Sequence, residues 1–176
     1  GVDLVVWPEV AIPAVLRRVE ARHLQLRVQQ LSAIAGAPIV VGAYEELVDA
    51  DRRTYFNAAL VMDADGLRED TYGKRFLVPF VERVPFIDPA LLESLTGDLA
   101  YFGGLGKGEG TPLFDVDGGA RYGILICYES IFASLSRDYR RVGADFLVSM
   151  TNDAWYGREP WYARTSALWQ HPAHLT

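Results

Sequence analysis

The chain of 176 residues has one cysteine, three histidines, fewer bases than acids and no long apolar run. Each shortage excludes something. Cys127 alone can build neither an intramolecular disulfide framework nor a multi-cysteine zinc site. A formal net charge of −6, from 17 Lys plus Arg against 23 Asp plus Glu, argues against nucleic acid, whose binding domains carry a basic patch. It also argues against electrostatic docking on anionic lipid. The strongest apolar runs, Leu4–Trp7, Ile39–Val41 and Ile124–Cys127, are strand-sized, well below the ~18 residues that span a bilayer. The chain opens on Gly1-Val2-Asp3 without an initiator Met or signal-peptide pattern, and it closes on His171-Pro172-Ala173-His174-Leu175-Thr176 without a helix stop. Such ends are expected of a piece of something longer.

What is present is a core. Half the residues are apolar and 12% are aromatic, and without repeats or linker-like tracts the pattern predicts one globular domain over residues 1–176. Strand-like and helix-like segments alternate, which predicts an α/β layered fold. Leu4–Trp7 reads as a strand ending at Pro8-Glu9. Apolar residues near helical spacing predict a helix over 14–35, stopped by Gly36 and Pro38. Ile39–Tyr44 reads as a strand, and Phe56–Met62 pairs with Leu67–Tyr72 across Asp63-Ala64-Asp65-Gly66. Residues 76–112 read mostly as loop, with a short helical piece near Ala90–Leu95 and five glycines from Gly103 to Gly110 taken as a flexible stretch. Leu113–Val116 and Arg121–Cys127 form a further hairpin. Ser130 is the expected N-cap of a helix through Arg141, Ala144–Met150 is the next strand, and another helix begins near Trp161.

A lone cysteine in an apolar strand is by default a small buried hydrophobe. Here Gly123-Ile-Leu-Ile-Cys127-Tyr-Glu-Ser130 runs from strand to helix start, the setting of a nucleophile elbow. Backbone N–H groups there, such as that of Tyr128, would stabilise a thiolate and an oxyanion. The usual partner, histidine, is missing from every strand end: His23 lies in the helical stretch, and His171 and His174 near the C-terminus. Glu9 does close a buried strand, where burial would suit it to act as a general base. Its bland alternative is a carboxylate on a helix N-terminus. Lys74, after Tyr72-Gly73, is either a surface charge or a cation that lowers the thiol's pKa and binds an oxyanion.

The stretch Gly103–Gly110 lacks the Ser or Thr and the first glycine of a phosphate-binding loop. His171 and His174 have no third ligand in sight, so no metal is expected. Trp155, Tyr156, Trp161, Tyr162 and Trp169, with Phe76, Leu77, Val78 and Phe80, offer apolar surface that packing would bury and a lipid substrate would leave exposed.

Four segments carry a resemblance: Trp7-Pro8-Glu9-Val-Ala-Ile-Pro13, Tyr72-Gly-Lys74-Arg-Phe-Leu-Val-Pro-Phe80-Val-Glu82-Arg-Val-Pro85, Ile126-Cys127-Tyr128-Glu129-Ser130 and Thr151-Asn-Asp153-Ala-Trp155. Together they resemble the carbon–nitrogen hydrolase (nitrilase) superfamily, and within it the apolipoprotein N-acyltransferase branch. The resemblance implies an α-β-β-α sandwich, truncated at both ends, and a Glu-Lys-Cys triad of Glu9 as base, Lys74 as electrostatic partner and Cys127 as nucleophile. Glu82 matches a second glutamate that orients the lysine, against a solvated loop charge as the alternative. Glu129 and Tyr128 would support the pocket, although a helix-start carboxylate describes Glu129 equally well.

The implied reaction moves an acyl chain from a membrane phospholipid through a Cys127 thioester to the α-amino group of a diacylglyceryl-apolipoprotein, without metal or organic cofactor. The implied location is the bacterial inner membrane, reached through segments outside this chain, with the catalytic domain on the periplasmic side. The main rival is a soluble amidase using the same triad on a small amide, and a third reading is an inactive binding domain. Val81 stands where that branch more often has glycine, and Arg158–Trp169 departs from its usual shorter link.

Overall fold

The computed structural model describes residues 1–49, 52–83, 104–116 and 118–152. Expectations placed on Ala90–Leu95, on Asp153–Trp169, including its aromatic cluster and the helix from Trp161, and on His171 and His174 lie outside the described residues.

Two sheets form the centre. The first has the order β1-β2-β3-β4, from Val5–Val6, Ile39–Asp49, Arg52–Met62 and Leu67–Gly73. The second has the order β5-β6-β7, from Phe114–Asp115, Arg121–Ile126 and Phe146–Met150. β1 runs parallel to β2 and β6 parallel to β7, while the remaining pairs are antiparallel. Alternation along β2 and β3 sorts their side chains onto two faces. Ile39, Val41, Ala43, Ala58, Leu60 and Met62 pack with Leu16 and Val28, so α1 (Arg22–Ala35) covers that face. Val40, Ala59, Val61 and Tyr72 join Tyr122, Ile124 and Ile126 of the second sheet, with Leu135 and Tyr139 of α2 (Ala133–Val142). The expected α/β sandwich is therefore present, in helix, sheet, sheet and helix.

The helix expected over 14–35 begins only at Arg22, after a 3₁₀ turn over Val19–Ala21. Tertiary contacts override the periodicity before that point. Tyr44 N–H donates to Ala14 C=O at 3.0 Å, which draws residues 14–15 onto β2 instead. Arg17 then pairs with Glu45, and Arg18 with Glu46 and Tyr55. The same pairs help explain why β2 continues to Asp49, five residues beyond the strand end expected at Tyr44. Gly36, in the left-handed region, ends α1 as expected.

Ser130 is not a helix cap. Cys127–Ile131 forms a 3₁₀ turn and α2 starts after Phe132, while Ser130 Oγ donates to Cys127 C=O at 2.9 Å. Nor is the described part of the glycine stretch a free loop. Leu105, Gly106 and Gly108 N–H groups donate to Glu82, Tyr55 and Lys74 carbonyls at 3.0, 2.7 and 2.8 Å. A Cβ on Gly108 would lie 2.7 Å from Gly73 Cα, so glycine is what lets these backbones touch.

Candidate active site

Glu9 follows β1 in a turn that crosses the middle of β2. Ile12 N–H donates to Gly42 C=O at 3.0 Å, and a side chain on Gly42 would put its Cβ 2.6 Å from Val10 N and 2.8 Å from Glu9 Cα. Glycine at 42 thus admits the Glu9 turn, and Val10 beside it takes a left-handed φ of 49°. Lys74 sits just past the end of β4, its N–H donating to Asn57 C=O at 2.8 Å.

The Lys74 ammonium, 1% exposed, lies 3.1 Å from Glu9 Oε1 and 2.9 Å from Glu82 Oε1. Burial pulls its pKa down, but the charges of Glu9 and Glu82 and the Glu82 hydrogen bond outweigh that, so it is held above the usual lysine range. The alternatives of a surface lysine and a solvated Glu82 are both excluded. Glu82 Oε2 also accepts Val78 N–H at 2.8 Å, which closes the turn 78–83. In that turn Phe80, at φ 64°, is 75% exposed and Val81 is exposed. Val81 in place of glycine is accommodated because its side chain points to solvent. Of the apolar run, Leu77 is buried and Phe76 packs on Phe132 at 4.4 Å between ring centroids.

Cys127 follows β6 with φ 52°, a conformation that costs a non-glycine residue on the order of 1–3 kcal/mol and persists where surroundings enforce it. The charges of Glu9 and Lys74 and the Thr151 side chain act on its thiol. Burial, then the negative charge of Glu9, push its pKa from 9.0 up to about 11, against the opposing pull of Lys74. The expected acidified thiolate is therefore not the resting form. Lys74 acts in the expected direction, but burial and Glu9 prevail, and the turn after Cys127 is 3₁₀ rather than the first turn of a long helix.

Glu129 is fully buried and is both a helix-start carboxylate, in the first turn of the 3₁₀ stretch, and a tie across the site. It accepts hydrogen bonds from Tyr72 OH at 2.8 Å, from Arg75 and Phe76 N–H at 2.7 and 3.1 Å, and from Ile126 N–H at 2.8 Å. Burial raises its pKa above the ordinary value while these donors oppose that rise. Glu129 thereby ties the residues after Lys74 to the residue before Cys127. Tyr128 packs edge-on against Phe132 at 5.1 Å.

Sequence reasoning missed Asn57, whose Nδ2 donates to Glu9 Oε1 at 2.7 Å and to Glu82 Oε1 at 2.9 Å. The signal was an amide inside an apolar strand, which needs partners if buried. Among the described residues no group of three or more His, Cys, Asp or Glu is placed to hold a metal ion. The cluster instead offers a thiol, a hydrogen-bonded carboxylate and a buried cation, the components of acyl transfer through a thioester.

The chain is 37% identical over 169 residues to the apolipoprotein N-acyltransferase of Geobacter metallireducens, across 96% of this chain and 30% of that protein. It is 32% identical over 167 residues to that of Bdellovibrio bacteriovorus, across 89% of this chain and 30% of that protein. The chain thus spans about 30% of the length of these relatives. An amidase from Nesterenkonia sp. shares the fold at a TM-score of 0.54 and 18% identity, over 89% of this chain and 56% of that one. A glutamine-dependent NAD+ synthetase from Acinetobacter baumannii matches at 0.53 and 20%, over 85% and 26%. The sequence model for carbon-nitrogen hydrolase matches residues 1–173. With that match across nearly its whole length, the chain belongs to the carbon–nitrogen hydrolase family.

Proposed function

We propose that this chain is the catalytic part of an N-acyltransferase that completes lipoproteins at the bacterial inner membrane, working on its periplasmic side. The observation that carries the proposal is the buried cluster in which Lys74 joins Glu9 and Glu82, with the Cys127 thiol near enough to be acted on by the charges of Glu9 and Lys74. It occurs in a chain whose relatives bear the apolipoprotein N-acyltransferase name.

In the first half-reaction the Cys127 sulfur attacks the ester carbonyl of a phospholipid as Glu9 takes the thiol proton. The Lys74 ammonium has three N–H donors, two of them directed to Glu9 and Glu82. The third is available, among the described residues, to the oxyanion, together with backbone N–H groups of the Cys127 turn. The intermediate collapses with cleavage of the ester C–O bond, and the lysophospholipid leaves with the proton from Glu9. A thioester remains on Cys127. In the second half-reaction the α-amino group of the diacylglyceryl-cysteine attacks this thioester and gives a proton to Glu9. The C–S bond then breaks and the thiol recovers that proton. A resting thiol suits this cycle, because the proton removed in each half is returned to its leaving group.

No described helix is long and apolar enough to cross a membrane. The test incubates the complete gene product with phospholipid and a diacylglyceryl-cysteine peptide. An N-acylated peptide is expected. Release of ammonia from small amides, with the peptide unchanged, would favour the amidase reading.

A further inference from the structure

Two carboxylates share one ammonium at this site, and a neutral side chain supports the arrangement. Glu9, Glu82 and Lys74 together carry one uncompensated negative charge when all are ionised, and their side chains are at most 12% exposed. Two carboxylates crowded in this way repel each other, and donors shared between them hold them together.

Asn57 supplies such donors. It lies on β3 opposite Tyr44, is 3% exposed, and directs Nδ2 to the same two oxygens that Lys74 Nζ reaches. The four atoms close a ring of alternating donor and acceptor. Among the described residues Asn57 Oδ1 is buried without a hydrogen-bond partner, which is destabilising for an amide. The amide is therefore oriented by the carboxylates at the expense of its own oxygen. Among the described residues the titratable groups around Glu9 in this cluster are Lys74, Glu82 and Cys127.

We infer that Asn57 is a positioning residue, which holds Glu9 and Glu82 together on Lys74 and so fixes the Glu9 carboxylate beside the Cys127 thiol. This rests on the reading of Glu9 as base, but not on the identity of the acyl donor or acceptor.

The test uses the complete gene product with p-nitrophenyl butyrate, which acylates Cys127 and releases p-nitrophenolate without phospholipid or lipoprotein. Its acylation kcat and KM are measured in the wild type, Asn57→Ala, Asn57→Asp and Ser32→Ala. Ser32 is a control: it is buried and donates to Ala37 C=O, remote in sequence from the cluster. Asn57→Ala is expected to lower kcat at least tenfold and leave KM within about twofold, as expected for loss of a hydrogen bond to a charged group. Asn57→Asp keeps the shape but replaces the donors with a third carboxylate, and is expected to lower kcat further. Ser32→Ala should leave kcat and KM within about twofold of wild type. A kcat within about twofold of wild type in Asn57→Asp, or in Asn57→Ala where it folds, would overturn the inference. Glu9→Gln separates the two readings: if it retained the wild-type kcat, the base assignment itself would fall.

Discussion

The Lys74 ammonium stands 2.9 Å from the Glu82 carboxylate, and the two side chains are 1% and 12% exposed. Glu9 approaches the same ammonium from the other side at 3.1 Å. Removing the cation would therefore leave two carboxylates buried without a counter-charge. Lys74→Met is expected to destabilise the protein by about 3–5 kcal/mol, the usual consequence of breaking a buried pair, and to abolish acyl transfer. Urea unfolding of wild type and variant side by side measures it. A loss below about 1 kcal/mol would mean that the pair is solvated.

The Cys127 thiol makes a separate prediction. With its pKa pushed up to about 11, chiefly by burial and next by Glu9, it should react with iodoacetamide at pH 8 at least tenfold more slowly than a free cysteine, gaining rate toward pH 11. Glu9→Gln removes a negative charge that raises the thiol, so the alkylation profile should move to lower pH. Acyl transfer should nevertheless fall by about 100-fold or more, the usual range for loss of a general base. A wild-type profile centred at or below the ordinary thiol value would contradict the geometry.

The same shift bears on stability. The folded thiol holds its proton more tightly than the unfolded one, so its contribution is complete below pH 9 and is lost as pH rises through about 11. Cys127→Ser should flatten that part of the stability profile.

Tyr72 and Glu129 predict an effect at a distance from the thiol. Glu129 accepts from Tyr72 OH and from backbone N–H groups on both sides of the site, which fixes the approach of Lys74 to Cys127. Tyr72→Phe should destabilise by about 2 kcal/mol, the value of a hydrogen bond to a charged group. Glu129→Gln presents an N–H where an acceptor is needed, and should lower kcat at least tenfold with little change in KM. A proportional rise in KM instead would assign Glu129 to substrate binding.

The sequence makes some of this architecture legible through local signals. Turn glycines, alternating strands and the strand-to-turn setting of Cys127 need no knowledge of distant partners, and the Glu9, Lys74, Glu82 and Cys127 segments were recognisable together. Other features depend on tertiary contact. Residues 14–21 have helical spacing but are drawn onto β2 and the hairpin by Tyr44 and by the Arg17 and Arg18 ion pairs. Asn57 reads as one polar residue in a strand until Glu9 and Glu82 are seen against it. The state of the thiol also escaped, because spacing reveals that Lys74 is near but not that burial and Glu9 outweigh it.

The central claim is that Cys127 carries the acyl chain. Its most direct test is mass spectrometry of the Cys127 peptide after the complete gene product is incubated with phospholipid and no acceptor. A hydroxylamine-sensitive mass increase of one acyl chain on that peptide, absent from Cys127→Ala and discharged by a diacylglyceryl-cysteine peptide, is the predicted result. An unmodified Cys127 peptide alongside continued acyl transfer, or identical behaviour of Cys127→Ala, would contradict it.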